Sequence, residues 1–166
     1  MRVGIAGAGP AGSLLAYRMA RAGASVTLFD PSHPREKPCG GGLTGKALDL
    51  LPEAPSEDPL PARRVPCCRF ESGDGHAVEV ELAKPVAIVA RREFDAWLLR
   101  RALAAGAQHL AERVTSVDAK GRLQTGSGRE ESFDLVVGAD GASSLVRRTF
   151  LGPLPKKRLH MAVGWF

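Results

Sequence analysis

Gly7, Gly9 and Gly12 follow a short apolar run, residues 2–6, and precede a helical pattern that opens with Ser13 and Leu14. Glycines at that spacing, after a strand and before a helix, suit the grip of a diphosphate. Gly7 permits the tight turn, Gly9 lets main chain approach the pyrophosphate, and Gly12 lets the helix pack close to the sheet. Pro10 and Ala11 complete the turn, and the free N–H groups at the positive end of the helix face the phosphates. A second apolar run over residues 25–29 ends in Asp30, an acid where a ribose hydroxyl is held. The alternative is a glycine-rich turn of some other α/β protein, and the acid after the second strand argues against it. The pattern predicts a dinucleotide site. NAD and FAD share this grip, Asp30 suits either ribose, and the first unit leaves the choice open.

The elements that must position these groups read as α/β. Strands are predicted over 2–6 and 25–30, joined by a helix over 10–22 that turns Leu14, Leu15, Met19 and Ala22 to the sheet. Residues 31–42 form a Pro- and Gly-rich loop, and a short helix follows over 44–51. A proline-punctuated segment, 52–66, is expected to be flexible. Strands over 65–71 and 76–82 flank Gly73-Asp74-Gly75 as a hairpin, with Val78, Val80 and Leu82 on one dry face. A buried strand over 86–90 runs into Arg91 and a helix over 93–105, whose inward face carries Phe94, Trp97, Leu98 and Ala102. Gly106 stops that helix. Further strands are predicted over 110–117, 122–125 and 133–138, then a helical piece over 143–150 and a last strand over 160–166.

Composition narrows the class. With 166 residues, 44% hydrophobic and 25% charged, the chain is long enough for one domain with a real core. The net charge of +5 comes from arginines scattered along the chain, which fits an anionic cofactor or a solvated basic surface. Aromatic residues are 5%, and no zinc-finger or RNA-binding signature occurs, so no nucleic-acid partner is expected. Three cysteines, two of them the neighbours Cys67 and Cys68, make neither a disulfide framework nor a metal set. His33, His76, His109 and His160 have no metal-ligand spacing and read as surface or turn residues. No leader or membrane-spanning run is seen, and a cytoplasmic location is expected, with peripheral membrane contact left open.

Four segments together resemble the FAD-dependent aromatic hydroxylase and geranylgeranyl reductase flavoproteins. The first runs from Gly7 to Asp30. The second, Val89 to Leu98, reads Val89-Ala90-Arg91-Arg92-Glu93-Phe94-Asp95-Ala96-Trp97-Leu98 and is similar to the family's strand, arginine and Phe-Asp helix. The third, Asp134 to Arg147, carries Asp140-Gly141 and is similar to the family's Asp-Gly motif. The fourth, Glu36-Lys37-Pro38-Cys39-Gly40-Gly41-Gly42-Leu43, is similar to the Lys-Pro-Cys-Gly-Gly loop of geranylgeranyl-reductase-like members.

The resemblance implies FAD as cofactor, with Arg91, Asp140 and Gly141 near the flavin and its diphosphate, and Val114 covering the adenine with its backbone. Taken alone, Arg91 reads as a strand-end arginine, Asp140-Gly141 as turn punctuation and Val114 as core. Gly40, Gly41 and Gly42 let main chain lie against a flat ring or a substrate. Cys39 is the one candidate catalytic side chain, set against a plain buried thiol. The implied activity is an FAD-dependent oxidoreductase of the geranylgeranyl reductase type, passing hydride to an isoprenoid double bond with a proton delivered separately. The implied substrate is a small apolar or isoprenoid molecule, and NAD(P)H is a candidate electron donor. The alternatives are an aromatic-ring monooxygenase using NAD(P)H and oxygen, and a non-catalytic nucleotide-binding module.

The expected fold is a Rossmann-type FAD-binding sheet over 1–60 and 84–158, with an inserted antiparallel hairpin. Residues 61–83 and 159–166 then belong to an incomplete substrate domain. The family's downstream Gly-Asp segment, whose aspartate holds the ribitol, does not follow, so this chain alone is expected to be an incomplete enzyme.

Overall fold

The computed structural model describes residues 1–155 and 157; the strand expected over 160–166, with His160, lies outside them. Its centre is a parallel sheet. β1 (Arg2–Ala6) and β2 (Ser25–Phe29) are joined by α1 (Pro10–Arg21). Val3, Ile5, Val26 and Leu28 are buried, as the apolar strands of a parallel sheet covered on both faces must be. The βαβ prediction holds in register: Gly4 lies beside Thr27, and Ile5 beside Leu28.

The face of α1 differs from the expected one. Gly12, Ser13 and Ala16 are its buried residues, while Leu15 and Met19 pack at the margin of the core and Ala22 is exposed. Small residues win because the helix lies almost on the turn beneath it. A Cβ on Gly12 would stand 1.9 Å from the Gly7 carbonyl oxygen. Ser13 also belongs there: its hydroxyl donates to the Ala8 carbonyl at 2.7 Å.

After the loop come β3 (Gly42–Leu43), α2 (Gly45–Leu48), β4 (Arg63–Glu71) and β5 (Ala77–Ile88). These three strands form an antiparallel sheet in the order β3-β5-β4. The sequence splits residues 76–90 into two strands, but the chain stays extended throughout β5. The ladder breaks locally instead: Val65 pairs with Val86 while Cys67 pairs with Glu81. Pro66 and Pro85 both fall in that irregular stretch, where no ladder N–H is required of them. The expected domain boundary between 83 and 84 therefore falls inside a single strand. The dry face of the hairpin is uncovered among the described residues, with Phe70 and Val78 directly opposite each other and more than half exposed.

α3 (Arg91–Ala104) starts two residues before the predicted helix and closes at Gly106, whose φ of 100° suits a glycine stop. It buries Phe94, Trp97, Leu98 and Ala102 as expected, and Asp95 in addition. The segment expected to be flexible is docked on this helix. Trp97 Nε1 donates to the Asp58 carbonyl at 2.9 Å, and Arg100 and Arg101 pair with the Asp58 carboxylate at 2.8 and 2.9 Å. Leu51, Leu60 and Ala62 pack beside Trp97.

The predicted strand over 110–117 is two strands of different sheets, β6 (Gln108–Leu110) and β7 (Val114–Val117). β6 joins the parallel sheet, whose order is β10-β1-β2-β6, while β7, β8 (Arg122–Thr125) and β9 (Glu130–Ser132) form a small antiparallel sheet. That sheet covers the central one through Leu123, Phe29 and Phe133, the two rings meeting edge to face at 5.9 Å. β10 (Leu135–Gly138) and α4 (Leu145–Leu151) complete the order. Among the described residues, no helix is long and apolar enough to cross a membrane.

Trp97→Phe keeps most of the buried ring but removes the donor to the Asp58 carbonyl. Urea unfolding is expected to show a loss of about 2 kcal/mol, with faster proteolysis within residues 52–62.

Candidate functional site

A cleft of about 880 Å³ opens at the carboxyl ends of the parallel strands, lined by Ala6 after β1, Phe29 and Asp30 after β2, and Ala139 and Asp140 after β10. This is where open α/β sheets bind ligands. Gly7, Gly9, Pro10 and Ala11 form one wall, and Arg91, Val114 and Gly141 reach the cleft from three other segments. Gly12 lies below the wall, against the Gly7 carbonyl. Residues far apart in the chain thus meet at one site.

The turn is shaped from below and open above. Gly7 has φ of 100°, and a Cβ there would stand 2.4 Å from the Ala139 carbonyl oxygen. A Cβ on Gly9 would meet nothing within 4 Å. Gly9 caps α1 with no side-chain hydrogen bond, and no acid occupies the first turn. The first-turn N–H groups of Ala11 and Gly12 have no intrahelical partners, and Pro10 has no N–H to offer. This helix end carries positive potential and free donors, and the space above Gly9 is unfilled.

Asp30 is bound into the turn. Its carboxylate accepts from the Ala8 N–H at 3.1 Å and from the Ser32 N–H at 3.0 Å, and the Ser32 hydroxyl adds a third donor. Burial works to raise its pKa, but these hydrogen bonds prevail and hold it below the ordinary value. His109 stands half-buried behind it, Nε2 lying 3.1 Å from the Asp30 carbonyl oxygen. On the facing wall, Asp140 Oδ2 accepts from the Leu145 N–H at the start of α4, while Oδ1 is buried without a partner.

Arg91 is fixed by its own helix. Its Nε and Nη2 donate to the two oxygens of Asp95 at 3.1 and 3.0 Å, and this pairing is the main cause of a raised guanidinium pKa. Asp95 also lines the cleft, and the sequence reading assigned it no role. Its signal was present as the i,i+4 spacing from Arg91. His33, expected at the surface, is buried. It folds back beside Asp95, and burial pushes its pKa down. His76 is exposed in its turn as expected.

Cys39, Gly40, Gly41 and Gly42 do not line the cleft, and Cys39 touches it through the Arg91 side chain. Cys39 is exposed and is not a buried thiol. The Gly41 N–H, 3.4 Å from the sulfur, and then the Arg91 guanidinium hold its thiol below the ordinary pKa. Gly41 needs to be glycine for packing: its φ is 66° and a Cβ would stand 2.0 Å from the Val89 carbonyl oxygen. Gly40 has open space around its Cα, and Gly42 would accept a Cβ at ordinary contact distance. No cluster of His, Cys, Asp and Glu suited to a metal ion occurs among the described residues.

A family model described as FAD binding domain matches residues 1–166. The chain belongs to that family. The FAD binding domain is 34% identical over 152 residues to geranylgeranyl diphosphate reductase of Rhodobacter capsulatus, covering 86% of this chain and 38% of the relative. It is 31% identical over 159 residues to digeranylgeranylglycerophospholipid reductase 1 of Methanopyrus kandleri, covering 87% of this chain and 40% of the relative. The chain therefore spans about two fifths of the length of these relatives. Among solved structures, halogenase PltM in complex with phloroglucinol and FAD superposes with a TM-score of 0.72 at 20% identity, over 89% of this chain and 36% of that one. That likeness concerns the fold. The cleft itself fits the family cofactor: space above Gly9, donors at the start of α1, and the unpartnered oxygen of Asp140 suit a polar, diphosphate-bearing molecule.

Glu112 directly precedes Arg113 and Val114, which line the cleft. It accepts hydrogen bonds from Thr125, Ser127 and Arg129, which lower its carboxyl from 4.5 to about 2. A depressed folded-state pKa gives stability that is complete above the unfolded value and is lost as pH falls towards the folded one. Glu112→Gln should therefore lower the melting temperature at pH 6, with the difference from wild type shrinking below pH 4.5 and gone near pH 2.

Proposed function

We propose that this domain is the cofactor-holding part of an FAD-dependent oxidoreductase that reduces isoprenoid double bonds. The carrying observation is the single cleft in which the glycine turn, Asp30, Arg91 and Asp140 converge. Similarity to two isoprenoid reductases supports the substrate class. The first-turn amides of α1 take the diphosphate, with the Gly9 backbone pressed against it and the helix end favouring its charge. Asp30, kept ionised by its donors, accepts from the adenosine ribose. Arg91 offers the N–H groups that Asp95 leaves free, and Asp140 Oδ1 accepts a hydrogen bond from the cofactor. Val114, half-buried, shields the adenine from water.

When bound, FAD supplies the two-electron reduction, with NAD(P)H as the proposed source of electrons. The proton is a separate matter, and Cys39, exposed beside Arg91, is the group proposed to hold it at Sγ. Residues 1–60 and 84–158 make up the cofactor part in this reading. Residues 61–83 and 159–166 are assigned to the substrate portion in this reading, and the apolar chain of the substrate suits the uncovered side of the β4–β5 hairpin.

Two glycine variants of the full chain separate binding from folding. Gly9→Ala should melt as wild type does, because its Cβ enters open space, yet bind FAD at least about tenfold more weakly. Gly7→Ala should be destabilised by about 2 kcal/mol or more, since its Cβ collides with backbone at a positive φ. For the reaction, a protein of the relatives' length that contains this domain, given FAD and reductant under anaerobic conditions, should add hydrogen to geranylgeranyl diphosphate, read by mass spectrometry, while residues 1–166 alone should show little turnover. An unchanged isoprenoid, together with NADPH oxidation stimulated by a phenol, would instead identify a ring monooxygenase.

A further inference from the structure

We propose that Asp95, braced by the buried imidazole of His33, is a positioning residue that aims Arg91 into the cofactor cleft. The inference rests on the FAD reading above. Asp95 sits in the first turns of α3 with its side chain 3% exposed. A carboxylate at that depth is stable only beside an opposite charge with hydrogen bonds to match. Arg91, one turn earlier, supplies both as a two-pronged fork at 3.1 and 3.0 Å. The fork uses Nε and one hydrogen of Nη2, and the remaining N–H groups are shared between the Cys39 sulfur and an incoming anion. A free arginine side chain samples many rotamers, and this one is already ordered before any ligand arrives.

His33 closes the other side of Asp95. Its side chain is 3% exposed, and Nε2 lies 3.8 Å from Asp95 Oδ2. That distance is too long for a hydrogen bond, and the same nitrogen is buried without any partner. Burial favours the neutral ring, while the carboxylates of Asp95 and Asp30 pull towards the charged one. A neutral imidazole packed there blocks rotation of Asp95 away from Arg91 without competing for it as a second cation. His33 lies three residues beyond Asp30, so the brace ties the ribose-side acid to the helix carrying Arg91.

A double-mutant cycle on FAD affinity tests this, using the full chain stripped of cofactor and titrated with FAD by flavin fluorescence. Asp95→Asn should weaken binding about tenfold and His33→Leu about threefold. Both losses should vanish when Arg91 is already Met, because each residue acts through that guanidinium. Thermal melting accompanies each variant, and if Asp95→Asn loses its cooperative melt, the His33 half of the cycle decides alone. Losses of equal size in the Arg91→Met background would show that His33 and Asp95 merely support the fold, and would overturn the proposal. So would Arg91→Met binding FAD as tightly as wild type, with the FAD reading intact. Wild type that binds no FAD would overturn both.

Discussion

The closeness of two backbone segments governs this structure. Gly12 lies so near the Gly7 carbonyl that a methyl group would have no room, and Gly7 itself presses on the backbone of Ala139. Through these contacts α1 sits directly on the end of the parallel sheet, with β10 drawn in beside β1. The start of the helix, with its unpaired donors, is thereby set at the carboxyl ends of three strands. No side chain could build that arrangement; it depends on their absence at Gly7 and Gly12.

The side chains of the cleft are held by networks that precede any ligand. Asp30 is anchored to the glycine turn through the Ala8 N–H, and Asp140 to the start of α4 through the Leu145 N–H. Arg91 is locked to Asp95, and Glu112 clamps the connection that leads into Val114 at the start of β7. Each polar group therefore has an assigned direction before binding. Such preorganisation lowers the ordering cost of binding a long, flexible cofactor. It also explains why the candidate acids are fixed by main-chain donors, which cannot rotate away as side-chain partners do.

Local signals in the sequence were enough for the central unit. The glycine spacing, the apolar strands and the acid at position 30 all act within about thirty residues, the span of one βαβ unit. The three motifs around Arg91, Asp140 and the first turn were legible too, and they line one cleft. What sequence reading missed depends on contacts between distant segments. Nothing in the residues around His33 announces burial, because the cover comes from α3. Gly41 read as a surface for a flat ring, yet its shape is dictated by the Val89 carbonyl. Two strands were expected over 76–82 and 86–90, but one strand runs through, because the ladder breaks opposite Pro66 and can admit Pro85. Val78 and Val80 alternated as a dry face should, and no described residue covers them.

A crystal structure of the full chain with FAD bound is the most direct measurement. The diphosphate should lie within about 3 Å of the Ala11 and Gly12 N–H groups, above the open face of Gly9. A diphosphate seated away from the start of α1, with that helix end still solvated, would contradict the mode of cofactor binding described for this domain.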